Sequence, residues 1–205
     1  MIAVITGDII GSKGSDPAVW LEALRDQLDH FGSSPKDWEV YRGDEFQLEV
    51  DAPDEVLLTA FRIKASIKTF KNLDVRMGIG IGEKDYQGSR VSQSNGSAFV
   101  NSGTQFDLLK KQKVNLAISS PDRGFDQDLN MLLKLALVIM DDWSVGSAQL
   151  AQTLLENPDQ IQEEIARKFK IKQAAVSQRL RRAHLNLIME LEAYFRIKFN
   201  KTFKP

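Results

Sequence analysis

The segment WEVYRGDEFQLEV at residues 38–50 decides the fold predicted for the first half of the chain. Trp38 to Arg42 and Glu45 to Val50 both have the composition of β-strands. Between them lies Gly43-Asp44, a strong signal for a two-residue hairpin turn. The segment therefore predicts a β-hairpin that carries the carboxylate of Asp44 at its tip.

Strands and helices alternate on both sides of this hairpin. Short runs predict further strands at residues 2–6, 74–82 and 115–119. Helices are predicted at about 17–31, 53–70 and 98–111. Asp16 can cap the first helix, and Pro17 suits its first turn. The resulting order, βαββαβ with additions, predicts an α+β fold with a ferredoxin-like sheet covered by helices.

The chain changes character after residue 120. Residues 121–127 form a candidate linker, and from residue 129 onward the pattern is helical throughout. We therefore predict a sheet domain at 1–125 and an all-α domain at 126–205, with a helix-turn-helix at about 145–199. The densely apolar helix at 130–140 is expected to be buried between the two domains.

The composition, 42% hydrophobic and 27% charged, is that of an ordinary soluble globular protein. The absence of cysteine excludes disulfides and thiolate metal sites, and the two histidines, His30 and His184, are far apart in sequence. The apolar N-terminus lacks a basic start and is too short to span a bilayer. A cytoplasmic protein without membrane contact is therefore expected.

Charge is distributed unevenly along the chain. Residues 158–205 carry 11 Lys and Arg against 5 Asp and Glu, whereas residues 1–157 carry 16 against 23. A basic end on an acidic body suggests two separate roles in one chain. The alternative is a solvated basic tail, which fits less well because the basic residues follow helical spacing.

The basic end contains a pattern typical of a helix-turn-helix. Residues 160–169 and 173–183 predict two helices joined by a short connection. Ala166 is the small residue that the motif needs where its helices cross, and Ile171 is the apolar residue of the turn. Lys170 stands where the turn usually has glycine. The remaining core positions are Ile165, Phe169, Val176 and Leu180, and residues 145–155 form the preceding helix.

The outward face of the second helix is the predicted DNA-binding surface. It consists of Lys172, Gln173, Ser177, Gln178, Arg181 and Arg182. Glutamine and arginine make paired hydrogen bonds to base edges in the major groove, and basic side chains, Lys170 and Arg179 among them, would contact phosphates. The segment EIARKFKIKQAAVSQRLRRA resembles the part of sigma-70 factors, region 4, that recognises promoter elements. The alternative is a three-helix bundle that serves dimerisation or protein contacts.

The second helix is predicted to continue from residue 183 to about 199. Its apolar surface consists of Leu185, Ile188, Leu191, Ala193, Phe195 and Phe199. A surface of this size needs a partner, which is either the sheet domain or the same helix of a second subunit. A homodimer of the second kind would place two DNA-binding helices on one duplex.

Two aspartates of the sheet domain form a candidate cation site. Asp8 follows the first strand, in VITGDIIGS, and Asp44 lies in the hairpin turn. In a ferredoxin-like sheet the first strand lies beside the hairpin, so both carboxylates are expected at one edge. Their repulsion favours a bound cation, and Mg²⁺ with nucleotide phosphates suits such oxygen ligands. The alternative is that Asp8 caps the next segment and Asp44 is a turn residue.

Several segments resemble the catalytic domain of class III nucleotidyl cyclases. They are GDIIGS at 7–12, YRGDEFQLEV at 41–50, VRMGIGIGE at 75–83 and NGSAFVNSGTQFDLL at 95–109. The Gly-Asp-Glu-Phe hairpin also resembles that of diguanylate cyclases. The resemblance covers about residues 1–120 and implies a cyclase-like or palm-like sheet. It further implies that Asp8, Asp44 and the backbone of Ile9 bind metal ions.

The predicted nucleotide-binding residues are Arg42, Gly43, Arg76, Asn101 and Gln105. Asn101 matches the family's catalytic asparagine and is the one catalytic candidate if the domain is active. Gln105 stands where the family has the arginine that stabilises the transition state, and a neutral amide cannot replace a guanidinium there. The alternative to phosphate contacts is that Arg42 and Arg76 pair with nearby carboxylates, Glu45 and Asp74.

Two further features have open interpretations. Gly78, Gly80 and Gly82 alternate along a predicted strand, which is more typical of close packing than of a phosphate-binding loop. Lys84 and Arg90 lie in a polar loop at 83–96, where they either close over a ligand or are solvated.

The whole chain resembles the SatD family of bacterial proteins, through its MIAVITGDII start, RGDEFQ hairpin, RMGIGIGE strand and helical C-terminal region. Three functions are compatible with these patterns. The first is a DNA-binding transcriptional regulator with a nucleotide- and Mg²⁺-binding but catalytically degenerate cyclase-like domain. The second is an active nucleotidyl cyclase or other phosphoryl-transfer enzyme whose helical domain mediates dimerisation, against which Gln105 argues. The third is an interaction scaffold, against which the retained Asp8 and Asp44 argue.

Overall fold

The computed structural model describes residues 1–204, which form a five-stranded mixed sheet and eight α-helices. The strands are β1 Ile2–Ile10, β2 Trp38–Tyr41, β3 Glu45–Val50, β4 Asp74–Gly82 and β5 Leu116–Ser119. The helices are α1 Pro17–Asp29, α2 Val56–Ile67, α3 Ser97–Gln112, α4 Arg123–Met140, α5 Val145–Glu156, α6 Gln162–Phe169, α7 Gln173–Ala183 and α8 Leu185–Phe203. The predicted α+β class is confirmed. Within the described residues, no helix has the length and apolar character needed to cross a membrane.

The sheet has the strand order β2-β3-β1-β4-β5, with β1 in the centre. β1 pairs antiparallel with both β3 and β4, and β2 pairs antiparallel with β3. β4 and β5 run parallel, joined by α3 as the crossover helix. The central position explains why residues 3–7 of β1 are buried without interruption.

The two faces of the sheet differ because successive side chains of a strand point to opposite sides. One face carries large apolar side chains, such as Ile5, Phe46 and Ile79, which are fully buried. Helix α2 packs against this face, and α1 packs beside α2. The core of the molecule therefore begins between this face and the first two helices.

On the opposite face, α3 lies directly on the glycines of β4. A Cβ atom on Gly80 would lie 2.2 Å from the carbonyl oxygen of Ala98, and one on Gly78 would lie 2.5 Å from the backbone nitrogen of Phe106. These glycines therefore allow the helix backbone to approach the strand closely, as the sequence indicated. With the helix on top of them, they are not free to bind a phosphate.

The hairpin turn is one residue longer than predicted. Tyr41 and Glu45 are cross-strand partners, so Arg42, Gly43 and Asp44 form a three-residue turn, and the assignment of Arg42 to the strand was wrong. Arg42 and Gly43 have φ values of 51° and 89°, which a continuing strand does not adopt. This geometry turns the Arg42 side chain out into solvent.

Helix α4 protects the edge of the sheet. The side-chain amide of Asn130 accepts a hydrogen bond from the backbone N–H of Ile118 and donates one to the carbonyl oxygen of the same residue, both at 2.8 Å. Asn130 thus makes the two hydrogen bonds that a further strand would make to β5.

The main hydrophobic core continues from the sheet into α4, α5 and α8. Helix α4 buries Phe125, Leu129 and Leu133 in this core. Its other side is exposed, however, so the expectation that residues 130–140 are buried between two domains was wrong for that side. The helix begins at Arg123, inside the segment predicted as a linker.

A buried ion cluster joins the sheet to the end of α4. The Lys64 side chain is fully buried, and its Nζ atom lies 2.6 Å from both Asp74 Oδ1 and Asp141 Oδ1. Lys68 bonds to the carbonyl oxygen of Asp141, and the Asn115 amide donates to its carboxylate at 3.1 Å. These contacts fix the start of β4 against the loop that leads to α5.

The predicted continuous helix from residue 183 to 199 is interrupted. His184 has a left-handed φ of 46°, so α7 ends at Ala183 and α8 begins at Leu185. The indole of Trp143 donates a hydrogen bond of 2.9 Å to the carbonyl of Ala183, which an unbroken helix would need for its own ladder. The indole N–H of Trp143 therefore takes the place of the backbone N–H that would bond to the Ala183 carbonyl in a continuous helix.

The apolar face of α8 finds its partner within the same chain. Leu185, Ile188, Phe195 and Phe199 are all buried in the main core, and Leu191 packs against it. Ala193 is exposed, so its assignment to this face was wrong. The ring of Phe125 in α4 lies between 5.2 and 6.5 Å from those of Phe195, Phe199 and Phe203. Of the two partners expected for this face, the structure provides the intramolecular one.

Candidate functional site

The hairpin turn and β1 bring acidic residues together at one end of the sheet. Asp8 is the cross-strand partner of Glu45 on one side and of Arg76 on the other. The backbone N–H of Ile9 donates a hydrogen bond of 3.2 Å to the carbonyl of Asp44. Asp8, Asp44 and Glu45 therefore form an acidic cluster beside the C-terminal end of α3.

Asp8 is the member of this cluster whose carboxylate has an oxygen without a hydrogen bond. Its side chain is only 18% exposed, and its Oδ1 atom is buried without a hydrogen-bond partner among the described residues. Burial raises the pKa of Asp8, opposed by the charges of Arg76 and Lys110 and reinforced by those of Asp44 and Glu45. An unbonded, partly desolvated carboxylate oxygen is suited to accept a cation or a donor group from a ligand.

The other acidic side chains have partners. Asp44 accepts a hydrogen bond from the hydroxyl of Ser12. Glu45 lies 3.3 Å from Lys110 and 3.7 Å from Arg42, which confirms one of the two pairings that the sequence suggested. Arg76 is 3.8 Å from Asp8, so its pairing with Asp74 was wrong. Asp74 pairs instead with Lys64 of α2 and with Lys68, the residue after α2.

Asn101 and Gln105 do not join this cluster. The Asn101 amide donates a hydrogen bond of 2.9 Å to the carbonyl of Ile81. Ile81 lies five residues along β4 from Arg76, the partner of Asp8, which corresponds to about 16 Å of strand. Gln105 lines a groove between α3 and α4. Of the predicted nucleotide-binding residues, the chain therefore gathers only Arg42, Gly43 and Arg76 beside the aspartates.

The polar loop at 83–96 is held against the sheet by ion pairs. Lys84 pairs with Glu49, and Arg90 pairs with Glu39, which also accepts a hydrogen bond of 2.7 Å from Ser92. Lys84 and Arg90 were expected either to close over a ligand or to be solvated, and neither expectation included these ion pairs. Residues that are distant in sequence make these contacts, so no local pattern indicated them.

Ser12 and Lys110 are further neighbours of the acidic cluster that the sequence patterns did not indicate. Lys110 lies two helical turns after Ser102, whose hydroxyl is 3.0 Å from that of Thr6 on β1. Lys110 is exposed and directly follows the buried Leu109, so its position near Glu45 depends on how α3 packs on the sheet and not on a local spacing.

Helices α5, α6 and α7 enclose a small core of their own. Leu150, Ile165, Ala166 and Val176 are buried, and the partly buried side chains around them are Leu154, Phe169, Ile171 and Leu180. The packing positions predicted for this segment are thus confirmed. Lys170 has a left-handed φ of 53°, and the N–H of Ile171 donates to the carbonyl of Ala166 at 3.0 Å to close the turn.

The outer surface of α7 carries most of the predicted DNA-binding side chains. Lys172, Gln173, Gln178, Arg181 and Arg182 are exposed, and Ser177 is half-buried. Arg179 does not belong to this surface, because its guanidinium group packs against Gly146 at the start of α5. The phosphate contact expected of Arg179 stays a prediction.

Over the described part of the chain, basic residues of the C-terminal part divide into a paired and an unpaired group, and Lys201 of α8 belongs with the unpaired ones. On α8, Arg196 pairs with Glu192 and Glu55, and Lys198 pairs with Asp128. Lys204 follows α8 and pairs with Asp54. Within residues 1–204, no carboxylate lies within salt-bridge distance of the seven basic residues of the α6–α7 segment. They are Arg167, Lys168, Lys170, Lys172, Arg179, Arg181 and Arg182.

The fold and these two features define an α+β protein with an acidic cluster at the edge of its sheet and a basic surface on its helical part. The family model of the SatD family matches residues 1–198, so the chain belongs to the SatD family. The predicted family is thereby confirmed. No curated protein and no solved structure gives a significant match. Across residues 1–204, no three or more His, Cys, Asp or Glu side chains are grouped in a way that would hold a metal ion.

Proposed function

We propose that this protein is a DNA-binding transcriptional regulator in which α6, the turn at 170–172 and α7 form a helix-turn-helix. The observation that carries this proposal is the set of unpaired basic side chains on the α6–α7 segment. Elsewhere the chain neutralises many of its basic residues internally, including three of those that follow α7. Unpaired positive charge on one helical surface is what phosphate binding requires.

The geometry of the α6–α7 segment supports the same proposal. Helix α7 packs through Val176 and Leu180, which leaves Gln173, Gln178 and Arg181 on its outer side. Gln173 and Gln178, in the first and middle turns of α7, can reach base edges in the major groove, and Arg181 extends this side into the last turn. A bundle used for protein contacts would not need this charge or these paired hydrogen-bond donors.

DNA binding can be tested by fluorescence anisotropy with labelled genomic fragments at several salt concentrations. Arg182→Ala is expected to weaken binding and to reduce the salt dependence by about one phosphate contact, whereas Arg181→Ala is expected to weaken binding through the loss of a base contact. Arg25→Ala, which removes an exposed arginine from α1, is the matched control and should bind as wild type does. Equal affinity and equal salt slope in all four proteins would refute the assigned surface.

The proposal includes a nucleotide and Mg²⁺ at the acidic cluster. The strand order β2-β3-β1-β4, antiparallel throughout, supports a ferredoxin-like arrangement of the kind implied by the cyclase resemblance. The carboxylates of Asp8 and Asp44 are hard oxygen donors, and Asp8 has an unbonded oxygen. Because residues 1–204 contain no metal site of three or more such side chains, these two carboxylates would fit Mg²⁺ together with the phosphate oxygens of a nucleotide. Arg42 and Arg76 are positioned to offset phosphate charge. A bound Mg²⁺ would supply the positive charge that links the carboxylates to a phosphate chain.

Nucleotide binding can be tested by calorimetric titration of ATP and GTP in the presence of Mg²⁺. Asp8→Asn and Asp44→Asn should each weaken binding at least tenfold, because each removes one charged oxygen ligand. Asp107→Asn, at an exposed position of α3, is the control for general charge effects. Absence of binding to wild type, or unchanged binding to Asp8→Asn, would remove the nucleotide part of the proposal.

The alternative of an active cyclase has less support. Asn101 bonds to the backbone of β4, and Gln105 faces the groove toward α4, so neither side chain lies beside Asp8 within one chain. Gln105 also lacks the charge needed at the family's arginine position. We therefore propose a ligand-binding role for the sheet domain and an output role for the helical part.

A further inference from the structure

A groove lies on the outer side of α7, beside the turn that precedes this helix. It has a volume of about 630 Å³ and is lined by residues 170–172 of the turn and by Ala174, Ala175, Gln178 and Arg181 of α7. We call this surface the α7 groove. Because these side chains line one groove, a single ligand can contact them at the same time.

The α7 groove combines positive charge with short apolar side chains. Lys170, Lys172 and Arg181 are exposed, and among residues 1–204 none of them has a carboxylate within salt-bridge distance. Ala174 is also exposed and adds a methyl group to the same groove. Duplex DNA presents matching groups, because phosphates border its major groove and thymine methyl groups project into that groove.

The two longer polar side chains of the α7 groove have different hydrogen-bonding patterns. The Gln178 amide offers a donor and an acceptor, which match the N6 and N7 atoms of adenine. The Arg181 guanidinium offers two parallel donors, which match the O6 and N7 atoms of guanine. Both side chains are exposed, so each can reach a base edge.

The spacing of these side chains limits how far apart the bases can be. Ala174, Gln178 and Arg181 follow one another along α7 at intervals of four and three residues. These intervals correspond to about 6 and 4.5 Å of helix. Since successive bases of B-DNA are about 3.4 Å apart, the three side chains span roughly four consecutive base pairs.

We infer that the α7 groove selects DNA sites in which a thymine, an adenine and a guanine occur within about four consecutive base pairs. Ala174 contacts the thymine methyl group, Gln178 binds the adenine and Arg181 binds the guanine. Lys170 and Lys172 bind phosphates beside these bases and add affinity without sequence preference. This inference rests on the proposed DNA binding and adds to it the bases that are recognised.

The bases can be identified by selecting binding sites for the full chain from a randomised double-stranded DNA library. Wild type is expected to enrich a common element that contains the three bases. Replacing the adenine or the guanine of this element should weaken binding about tenfold in each case.

Exchanging the two polar side chains tests which residue binds which base. Arg181→Gln should change the preferred guanine to adenine, and Gln178→Arg should change the preferred adenine to guanine, because the hydrogen-bonding patterns are exchanged. A purely structural role of either residue would weaken binding without changing the preferred base. Lys172→Gln is the control, which should weaken binding to all sequences alike and keep the wild-type preferences.

The contact of Ala174 is tested by removing either of the two methyl groups. Replacing the thymine by deoxyuridine should weaken the binding of wild type about threefold. The same replacement should not affect Ala174→Gly, which has already lost the methyl group on the protein side. Circular dichroism melting checks that Ala174→Gly is folded. An equal loss of affinity in both proteins would overturn the assignment of Ala174.

Failure of the inference and failure of the proposed function give different results. If wild type binds no duplex of the library at any salt concentration, the proposed DNA binding is refuted, and the inference with it. If wild type binds DNA without enriching a common element, or if Arg181→Gln and Gln178→Arg keep the wild-type preferences, only the inference is overturned. Equal binding to the same sequence as double-stranded RNA would also overturn it, because side chains cannot read the deep, narrow major groove of A-form RNA.

Discussion

The indole Nε1 of Trp143 donates a hydrogen bond of 2.9 Å to the carbonyl oxygen of Ala183, the last residue of α7. Both groups are buried. Because Trp143 directly follows the ion-paired end of α4, this bond ties the proposed DNA-binding helix to the part of the molecule that rests on the sheet. It thereby fixes the direction in which α7 leaves the main core.

Replacing this indole should therefore affect both stability and DNA binding. Trp143→Phe keeps an aromatic ring but leaves the Ala183 carbonyl buried without a donor, which costs about 1–3 kcal/mol of unfolding free energy. We also expect weaker DNA binding, since the orientation of α7 is less restricted. Urea denaturation and fluorescence anisotropy measure the two effects.

Trp38→Phe is the matched control. The indole of Trp38 donates to the carbonyl of Gly32 at 3.2 Å, far along the chain from α7. Loss of this hydrogen bond should lower the free energy of unfolding by a similar amount and leave the affinity for DNA unchanged. Equal DNA affinity in Trp143→Phe and Trp38→Phe would contradict the positioning role of Trp143.

The left-handed backbone at Lys170 provides a second prediction. A residue with a Cβ atom pays roughly 1 kcal/mol for this conformation, whereas glycine adopts it freely. Lys170→Gly should therefore stabilise the α6–α7 pair by about 1 kcal/mol. Lys170→Ala removes the same charge but keeps the Cβ atom, so the difference between the two variants in urea denaturation isolates the backbone effect. A Lys170→Gly variant no more stable than Lys170→Ala would argue against the turn geometry.

The contact between β4 and α3 can be tested with two glycines. A methyl group at Gly80 would lie 2.2 Å from Ala98 O and 2.3 Å from Ser102 N, so Gly80→Ala must displace α3 and should cost about 3 kcal/mol. Gly103 lies on α3 itself, where an added methyl group would meet nothing within 4 Å beyond its own stretch of helix. Gly103→Ala is therefore expected to be neutral or to stabilise the helix by up to about 1 kcal/mol. Similar denaturation midpoints for the two variants would show that α3 is not seated on β4 as described.

The environment of Asp8 predicts a dependence of stability on pH. Burial raises its pKa in the folded protein above the ordinary aspartate value of 3.8. Ionisation of such a group destabilises the folded state, so wild type loses stability as pH rises from 3.8 through the raised folded-state pKa. The side chain introduced by Asp8→Asn cannot ionise. The stability of this variant relative to wild type should therefore increase across this pH window and stay constant above it.

Thermal unfolding of both proteins from acidic to neutral pH measures this difference. Asp107→Asn, at an exposed position, should show no such advantage. If Asp8→Asn is less stable than wild type at neutral pH, the carboxylate has a stabilising partner and is not the unsatisfied group described above.

Local patterns predicted the elements and the small helical core well. Ala166, Ile171, Val176 and Leu180 could be assigned from spacing because a pair of short helices leaves few ways to bury apolar residues. The cap at Asp16 also follows from local chemistry, because the Asp16 side chain accepts from Ala18 N–H at 3.0 Å. The positions of the hairpin and strands were predicted, but β1 extends to Ile10, so Asp8 lies within this strand and its predicted place after the strand was wrong.

Features that depend on distant residues were not predictable in this way. The break at His184 relies on an indole 40 residues earlier in the chain. The position of Asn101 depends on how three glycines seat α3 on β4, which sets the helix face that meets the sheet. The sequence identified the motif residues, but their distances from Asp8 are a property of the packed sheet and helix.

The side chain of Asn130 affects the tendency of the protein to aggregate at high concentration. An exposed edge strand is a template on which another chain can add a strand and begin to aggregate. Since the Asn130 amide already occupies both backbone groups of Ile118, an incoming strand would have to break two hydrogen bonds before forming any. One amide side chain thus protects the outer edge of β5 from pairing with a strand of another chain.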